Sequence, residues 1–124
     1  MKNEILLFEN QDVKLEVNMK DETVWLSQQQ MAGLFNSSRT NIIEHISNIY
    51  SDEELDKNST CQYFRQVRKE GKKTVTRTIP FYNLDMIISV GYRVNSKQGI
   101  IFRKWATSIL KDYMIKGYAV NQKR

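Results

Sequence analysis

The stretch from Leu26 to Ile49, LSQQQMAGLFNSSRTNIIEHISNI, constrains the fold of this chain more than any other segment. Ser27 can cap a first helix, because its side chain can accept a hydrogen bond from a free backbone amide of the first turn. Asn36 and Ser37 interrupt the apolar period, and asparagine tolerates the left-handed backbone of a tight turn. Ser38 then caps a second helix. The apolar positions predicted to hold the two helices together are Met31, Leu34, Phe35, Ile42, Ile46 and Ile49.

Two helices joined in this way are typical of a helix-turn-helix, whose second helix enters the major groove of DNA. Arg39 can bind guanine bidentately, Glu44 can accept a hydrogen bond from cytosine, and Thr40 or Ile43 can contact a thymine methyl group. An ordinary helical hairpin with a solvated polar face is the alternative interpretation. The candidate DNA contacts of this helix are Ser38, Arg39, Thr40, Ile43, Glu44 and Ser47, with the two serines nearer the phosphates.

Charge is distributed unevenly along the 124 residues. Residues 1–59 hold five basic and eleven acidic side chains, a net charge of −6, whereas residues 60–124 hold fourteen basic and three acidic side chains, a net charge of +11. Neutralisation of phosphates supplies most of the non-specific affinity for DNA. A DNA reader whose recognition helix lies in the acidic half would therefore take its phosphate contacts from the basic half.

The basic half begins with a predicted β-hairpin. Residues 61–68 and 74–81 are rich in β-branched and aromatic residues, and Glu70-Gly71 between them has the composition of a tight turn. A cationic ribbon that directly follows a recognition helix is the arrangement called a wing, whose tip meets backbone phosphates. Exposed hairpins also carry lysine to block edge pairing, so a purely structural role is the alternative. The candidate phosphate contacts are Arg68, Lys69, Lys72 and Lys73.

The remaining segments predict more strands and helices. Apolar residues alternate with polar ones from Val13 to Val17, which indicates a half-buried strand, and residues 4–8 and 23–26 are further candidate strands. Ser51 and Glu54 have the spacing of a capping box for a short helix.

Two helices are predicted to close the chain. Asn83 can cap the first, which we expect to end at Gly91. The second carries an apolar stripe, and both are expected to buttress the preceding helix pair. The stripe consists of Phe102, Trp105, Ala106, Ile109, Leu110 and Tyr113.

These patterns together predict an α+β fold in a single domain, residues 1–124. It is a winged-helix-like helix-turn-helix with an N-terminal β-hairpin or meander, a basic β-hairpin wing and two C-terminal packing helices.

Composition argues against an enzyme, a metal centre or a membrane protein. His45 is the only histidine and Cys61 the only cysteine, and the five glycines form no phosphate-binding loop. We therefore expect no catalytic residues, no cofactor and no bound metal. The chain shows neither a signal peptide nor a membrane-spanning apolar run, which predicts a cytoplasmic protein.

The segment from Phe81 to Tyr118, FYNLDMIISVGYRVNSKQGIIFRKWATSILKDYMIKGY, resembles the RhuM virulence-protein family, as do LSQQQMAGLF and EHISNIY. That family is similar to phage antirepressor modules of the Bro-N and KilA-N type. The resemblance runs from about Val24 to the end of the chain. It implies an association with virulence or mobile elements, and relatives that bind DNA or belong to toxin systems, some with Fic-like parts. Because family members are typically longer, it also implies an amino-terminal fragment.

Two functions are compatible with the sequence. The first is a module that binds double-stranded DNA, as a transcription regulator or in the manner of an antirepressor. The second is a protein-interaction module that binds a repressor or a toxin-system partner without touching DNA. A homodimer is compatible with either function. Salt separates the two, because DNA binding weakens steeply with salt while an interface with an apolar anchor responds weakly.

Overall fold

The computed structural model describes residues 4–122, and the side chains of residues 4–113. It confirms the α+β class, with five strands and five helices in the described part of the chain. The strands are β1 (Glu4–Asn10), β2 (Val13–Lys20), β3 (Thr23–Ser27), β4 (Cys61–Glu70) and β5 (Lys73–Asn83). The helices are α1 (Gln28–Phe35), α2 (Arg39–Ser51), α3 (Lys57–Thr60), α4 (Leu84–Arg93) and α5 (Lys97–Gln122).

The five strands form one antiparallel sheet in the order β1-β2-β3-β5-β4. Strands β1 to β3 are the predicted meander, and β4 and β5 are the predicted hairpin. The two units join because β3 pairs with the end of β5, where Leu26 lies opposite Tyr82. The hairpin is therefore an extension of the main sheet.

The helices pack on one face of this sheet. Alternation along the strands sends Val17, Met19 and Leu26 into the same core as the apolar faces of α1, α2, α4 and α5. All six apolar residues predicted for the helix pair are buried. Two residues of the predicted stripe on α5, Phe102 and Ala106, are also buried, and its other members are partly buried against this core.

The predicted helix pair is present and capped as expected. The Ser27 side chain accepts a hydrogen bond from the amide of Gln30, whose own side chain bonds back to the Ser27 amide, and this closes a capping box. Asn36 adopts the left-handed conformation with φ 52°, and Ser38 caps α2 by accepting from the Asn41 amide. The turn between the two helices is therefore fixed by local hydrogen bonds.

Two predictions about element ends were wrong. Ser51 caps no helix, because it is the last residue of α2, and the short helix α3 begins six residues later with Asp56 as its cap. Helix α4 does not end at Gly91 but at Arg93. Gly91 instead lies where α4 crosses α5, and a Cβ there would come within 3.4 Å of Gly99 Cα and of the Phe35 ring. The absence of a side chain at Gly91 allows α4 to pack closely against both α5 and Phe35 of α1. The closing helices therefore pack against the helix pair, as predicted.

A second apolar cluster lies on the sheet face opposite the helices. Phe64 stacks on Phe81 with ring centroids 4.7 Å apart and also contacts Trp25 at 5.9 Å. The Lys20 ammonium lies 5.3 Å from the centroid of the Phe64 ring. Phe81 and Trp25 are almost fully buried. This cluster holds the base of the β4–β5 hairpin against the sheet.

Candidate nucleic-acid interface

The outward face of α2 carries the side chains predicted to read DNA. Arg39, Thr40, Ile43, Glu44 and Ser47 are all exposed, while the stripe Ile42, Ile46 and Ile49 turns into the core. Ser38 is also exposed, and its hydroxyl oxygen accepts the capping hydrogen bond from the Asn41 amide. This face presents polar side chains and one large apolar side chain, Ile43, which are the kinds of group that can contact base edges.

The β4–β5 hairpin projects beyond the rest of the sheet. Only its base pairs with β3, and eight further residue pairs, from Tyr63 and Pro80 to Glu70 and Lys73, have no third strand beside them. At about 3.3 Å per residue this free ribbon is roughly 25 Å long. Gly71, with φ 64°, supplies the tight turn at its tip. The four predicted phosphate contacts, Arg68, Lys69, Lys72 and Lys73, are all exposed there.

A cleft lies between the ribbon and the start of the helix pair. It forms because β3 ends at Ser27, where the chain turns into α1 and leaves the edge of β5 uncovered. Arg39, from the first turn of α2, faces this cleft together with Arg68 and Arg77 of the ribbon. The other lining residues are Ser27, Gln28, Gln29, Gln66, Ile79 and Pro80. The structure thus brings one predicted base contact and one predicted phosphate contact to the same concave surface.

The other predicted contacts lie outside this cleft. Thr40, Ile43, Glu44 and Ser47 continue along α2, and Lys69, Lys72 and Lys73 lie around the tip of the ribbon. The predicted residues therefore form two groups, one on the helix and one on the ribbon, which meet at the cleft.

The cleft includes a cation to which the sequence analysis assigned no role. The Arg77 guanidinium donates to both carboxylate oxygens of Glu70, at 3.1 to 3.3 Å. This hydrogen bond to Glu70 raises the pKa of Arg77. The alternation of side chains along a strand could have indicated part of this surface. Gln66 and Arg68 are two residues apart on β4 and therefore point to the same face. The contribution of α1 to the cleft depends on how β3 packs beside β5, which no local pattern reveals.

Acidic residues at the far end of α2 are paired with a base. Arg93 of α4 donates hydrogen bonds to Asp52 at 3.1 Å and to Glu54 at 3.0 Å. The hydrogen bond from Arg93 is the main reason that the pKa of the Glu54 carboxyl lies below its ordinary value. Glu54 was predicted to belong to a capping box; Glu54 and Asp52 instead connect the end of α2 to α4. Arg93 offsets part of their negative charge, which reduces repulsion of an anion bound along α2.

One comparison with known proteins gives a match. The model of the virulence protein RhuM family matches residues 59–124, just over half of the chain. The chain belongs to the RhuM family. Comparison with curated proteins and with solved structures gives no significant match. The matched region begins just before β4 and includes the ribbon, α4 and α5. The helix pair of this RhuM-family chain precedes the match, so its role has to be argued from the structure.

The reactive side chains Cys61, His45 and Tyr50 do not line the cleft. Burial raises the pKa of the half-buried Cys61 thiol, which lowers the fraction of reactive thiolate. His45 is half-buried on α2, and Tyr50 is held by a 2.9 Å hydrogen bond to Thr60. Among the described residues, no three His, Cys, Asp or Glu side chains form a group that could hold a metal ion. Within the same residues, no helix combines the length and apolarity needed to cross a membrane.

Proposed function

We propose that this RhuM-family chain is a DNA-binding module in which α1 and α2 form a helix-turn-helix and the β4–β5 ribbon is the wing. The observation that carries the proposal is the shared cleft, where Arg39 of α2 faces Arg68 and Arg77 of the ribbon. A duplex seated with α2 in its major groove presents the flanking phosphates to such a cleft. Helix and ribbon would then contact one continuous surface of DNA.

In this proposal the exposed face of α2 contacts the bases. Arg39 can donate two hydrogen bonds to guanine, Glu44 can accept from the cytosine amino group, and Thr40 or Ile43 can contact a thymine methyl group. Ile43 is 38% exposed on this face, so its side chain is accessible to an apolar group. The methyl of thymine is such a group. Ser38 and Ser47 lie at the margins of this face and suit contacts with phosphate oxygens.

In this proposal the ribbon binds the phosphates. Lys72 and Lys73 lie at its tip beside Arg68 and Lys69, and all four side chains are exposed. The ribbon supplies the positive charge that the segment containing α2 lacks. In this proposal the helix that contacts bases lies in the acidic half of the chain, and the ribbon that contacts phosphates lies in the basic half.

The proposal is tested by selecting bound duplexes from a random library and measuring the dissociation constant on the preferred site. Arg39→Ala should weaken binding by about 1 to 3 kcal/mol and relax the preference at one base pair. Arg103→Ala is the matched control, because it removes the same charge from an exposed position on α5. Equal losses for the two variants would contradict a reading role for Arg39. Failure to enrich any duplex would overturn the proposal and favour the alternative, a protein-interaction module for a repressor or toxin-system partner.

A further inference from the structure

The two edge strands of the sheet differ in how they are protected. Strand β4 forms one edge and β1 the other, and within residues 4–122 no strand pairs with the outer side of either. Unpaired edges attract other strands, so natural sheets block them with bulges, prolines or charged side chains. Strand β4 is blocked in this way by Arg65, Arg68 and Lys69, all of which are exposed.

Strand β1 has none of these protections along its central part. Its pairing with β2 is regular from Glu4 to Asn10, without a bulge, and its sequence EILLFEN contains no proline and no basic residue. Ile5 is 65% exposed and Leu7 is 51% exposed, on the face opposite the helices. The strand's two charges, Glu4 and Glu9, lie near its ends. An accessible strand edge is thus combined with two apolar side chains that have no cover.

We propose that β1 is the contact between two copies of this chain, which pair antiparallel about a two-fold axis through Leu6. In this register Ile5 of each copy lies opposite Leu7 of the other. The dimer therefore contains two equivalent Ile5–Leu7 pairs, and both exposed apolar side chains are covered in each copy. Glu4 lies opposite Phe8 of the other copy, and the two β1 strands bring no carboxylates opposite one another. The product is a continuous ten-stranded sheet with the helices of both copies on one face.

Registers shifted towards the carboxyl end of β1 fit less well. A shift by one residue places Glu4 opposite Glu9 of the other copy and turns the helices of the two copies to opposite faces. A shift by two residues places Glu9 opposite Ile5. The register centred on Leu6 is the one that places Ile5 opposite Leu7 in both halves of the contact, as an isologous dimer of these two side chains requires.

The first test measures mass by analytical ultracentrifugation at increasing concentration of the whole chain. Wild type should show a concentration-dependent dimer, and Ile5→Lys should weaken it about tenfold or more, because the substitution removes both Ile5–Leu7 pairs at once. Val67→Lys is the matched control, since Val67 is also 65% exposed but lies on the other edge strand. A wild type that stays monomeric up to about 1 mM would overturn the proposal. Equal weakening by the two variants would overturn it as well.

The second test reads the register by disulfide trapping under mild oxidation. Chains carrying Ile5→Cys and Leu7→Cys should cross-link when mixed, because opposite residues of an antiparallel pair lie about 4.5 to 5.5 Å apart at Cα. Each variant alone should cross-link poorly, since its own cysteines would lie beyond the roughly 7 Å that a disulfide can span. Wild type, which keeps Cys61, controls for the native thiol. Cross-linking of either single variant as efficient as that of the mixture would contradict the register.

Discussion

Replacement of Phe102 by alanine should be among the most damaging single changes to this fold. Phe102 has no exposed surface and contacts two aromatic rings, with centroids 5.2 Å from Phe8 and 5.5 Å from Trp105. Phe-to-Ala substitutions in close-packed cores cost about 3 to 5 kcal/mol, against a typical total of about 5 to 15 kcal/mol for a domain. The cost should be near the upper end, because the Phe102 ring is fully buried between the rings of Phe8 and Trp105.

The measurement is guanidinium denaturation followed by circular dichroism, with the slope of the transition checked against wild type. Trp105→Ala is the comparison. Trp105 lies on the same apolar stripe but is only half-buried, so its loss should cost about 2 kcal/mol, roughly half the value for a fully buried ring. Equal or greater destabilisation by Trp105→Ala would refute the reasoning that burial, rather than central position on the stripe, sets the cost.

Two further predictions concern single positions. Asn36→Ala should destabilise the fold by about 1 to 2 kcal/mol, because Asn36 has φ 52° and alanine disfavours this left-handed conformation. Asn36→Gly should be neutral or stabilising. Equal stabilities of the two variants in thermal unfolding would contradict this prediction. Burial raises the pKa of Tyr82 from 10.0 to about 12, against the opposing effect of the hydrogen bond from Gln28. The stability that this proton provides is complete below pH 10 and is lost as the pH rises towards 12. Wild type should therefore lose about 2 to 3 kcal/mol more than Tyr82→Phe over that range, and parallel pH profiles of the unfolding free energy would contradict it.

The helix pair could be predicted residue by residue because its signals are local. Ser27 and Ser38 cap helices within three residues, Asn36 marks the turn, and the period of the isoleucines fixes the buried side of α2. Interactions of this kind depend on neighbours in sequence, so a single sequence contains them. The predicted strands were also found, with ends shifted by up to three residues.

Contacts between distant segments could not be predicted in the same way. The pairing of β3 with β5 joins residues more than fifty positions apart, and it creates the cleft in which Arg39 meets Arg68 and Arg77. The pairing of Arg93 with Asp52 and Glu54 likewise spans about forty residues. A carboxylate next to a helix looks the same in sequence whether it caps that helix or binds a distant arginine. The site could therefore be predicted as two groups of residues, but not as one surface.

The central claim, that helix and ribbon bind DNA together, is tested most directly by the dependence of affinity on salt. Dissociation constants for one duplex are measured at several salt concentrations for wild type, for Lys72→Ala/Lys73→Ala, and for Lys104→Ala/Lys111→Ala as a control with equal loss of charge on α5. Each phosphate contact contributes about 0.9 to the slope of log affinity against log salt, so the ribbon variant should lower its magnitude by about 1.8 and keep the same preferred sequence. The control should keep the wild-type slope. Identical slopes for all three proteins, or no duplex binding by wild type, would contradict the account.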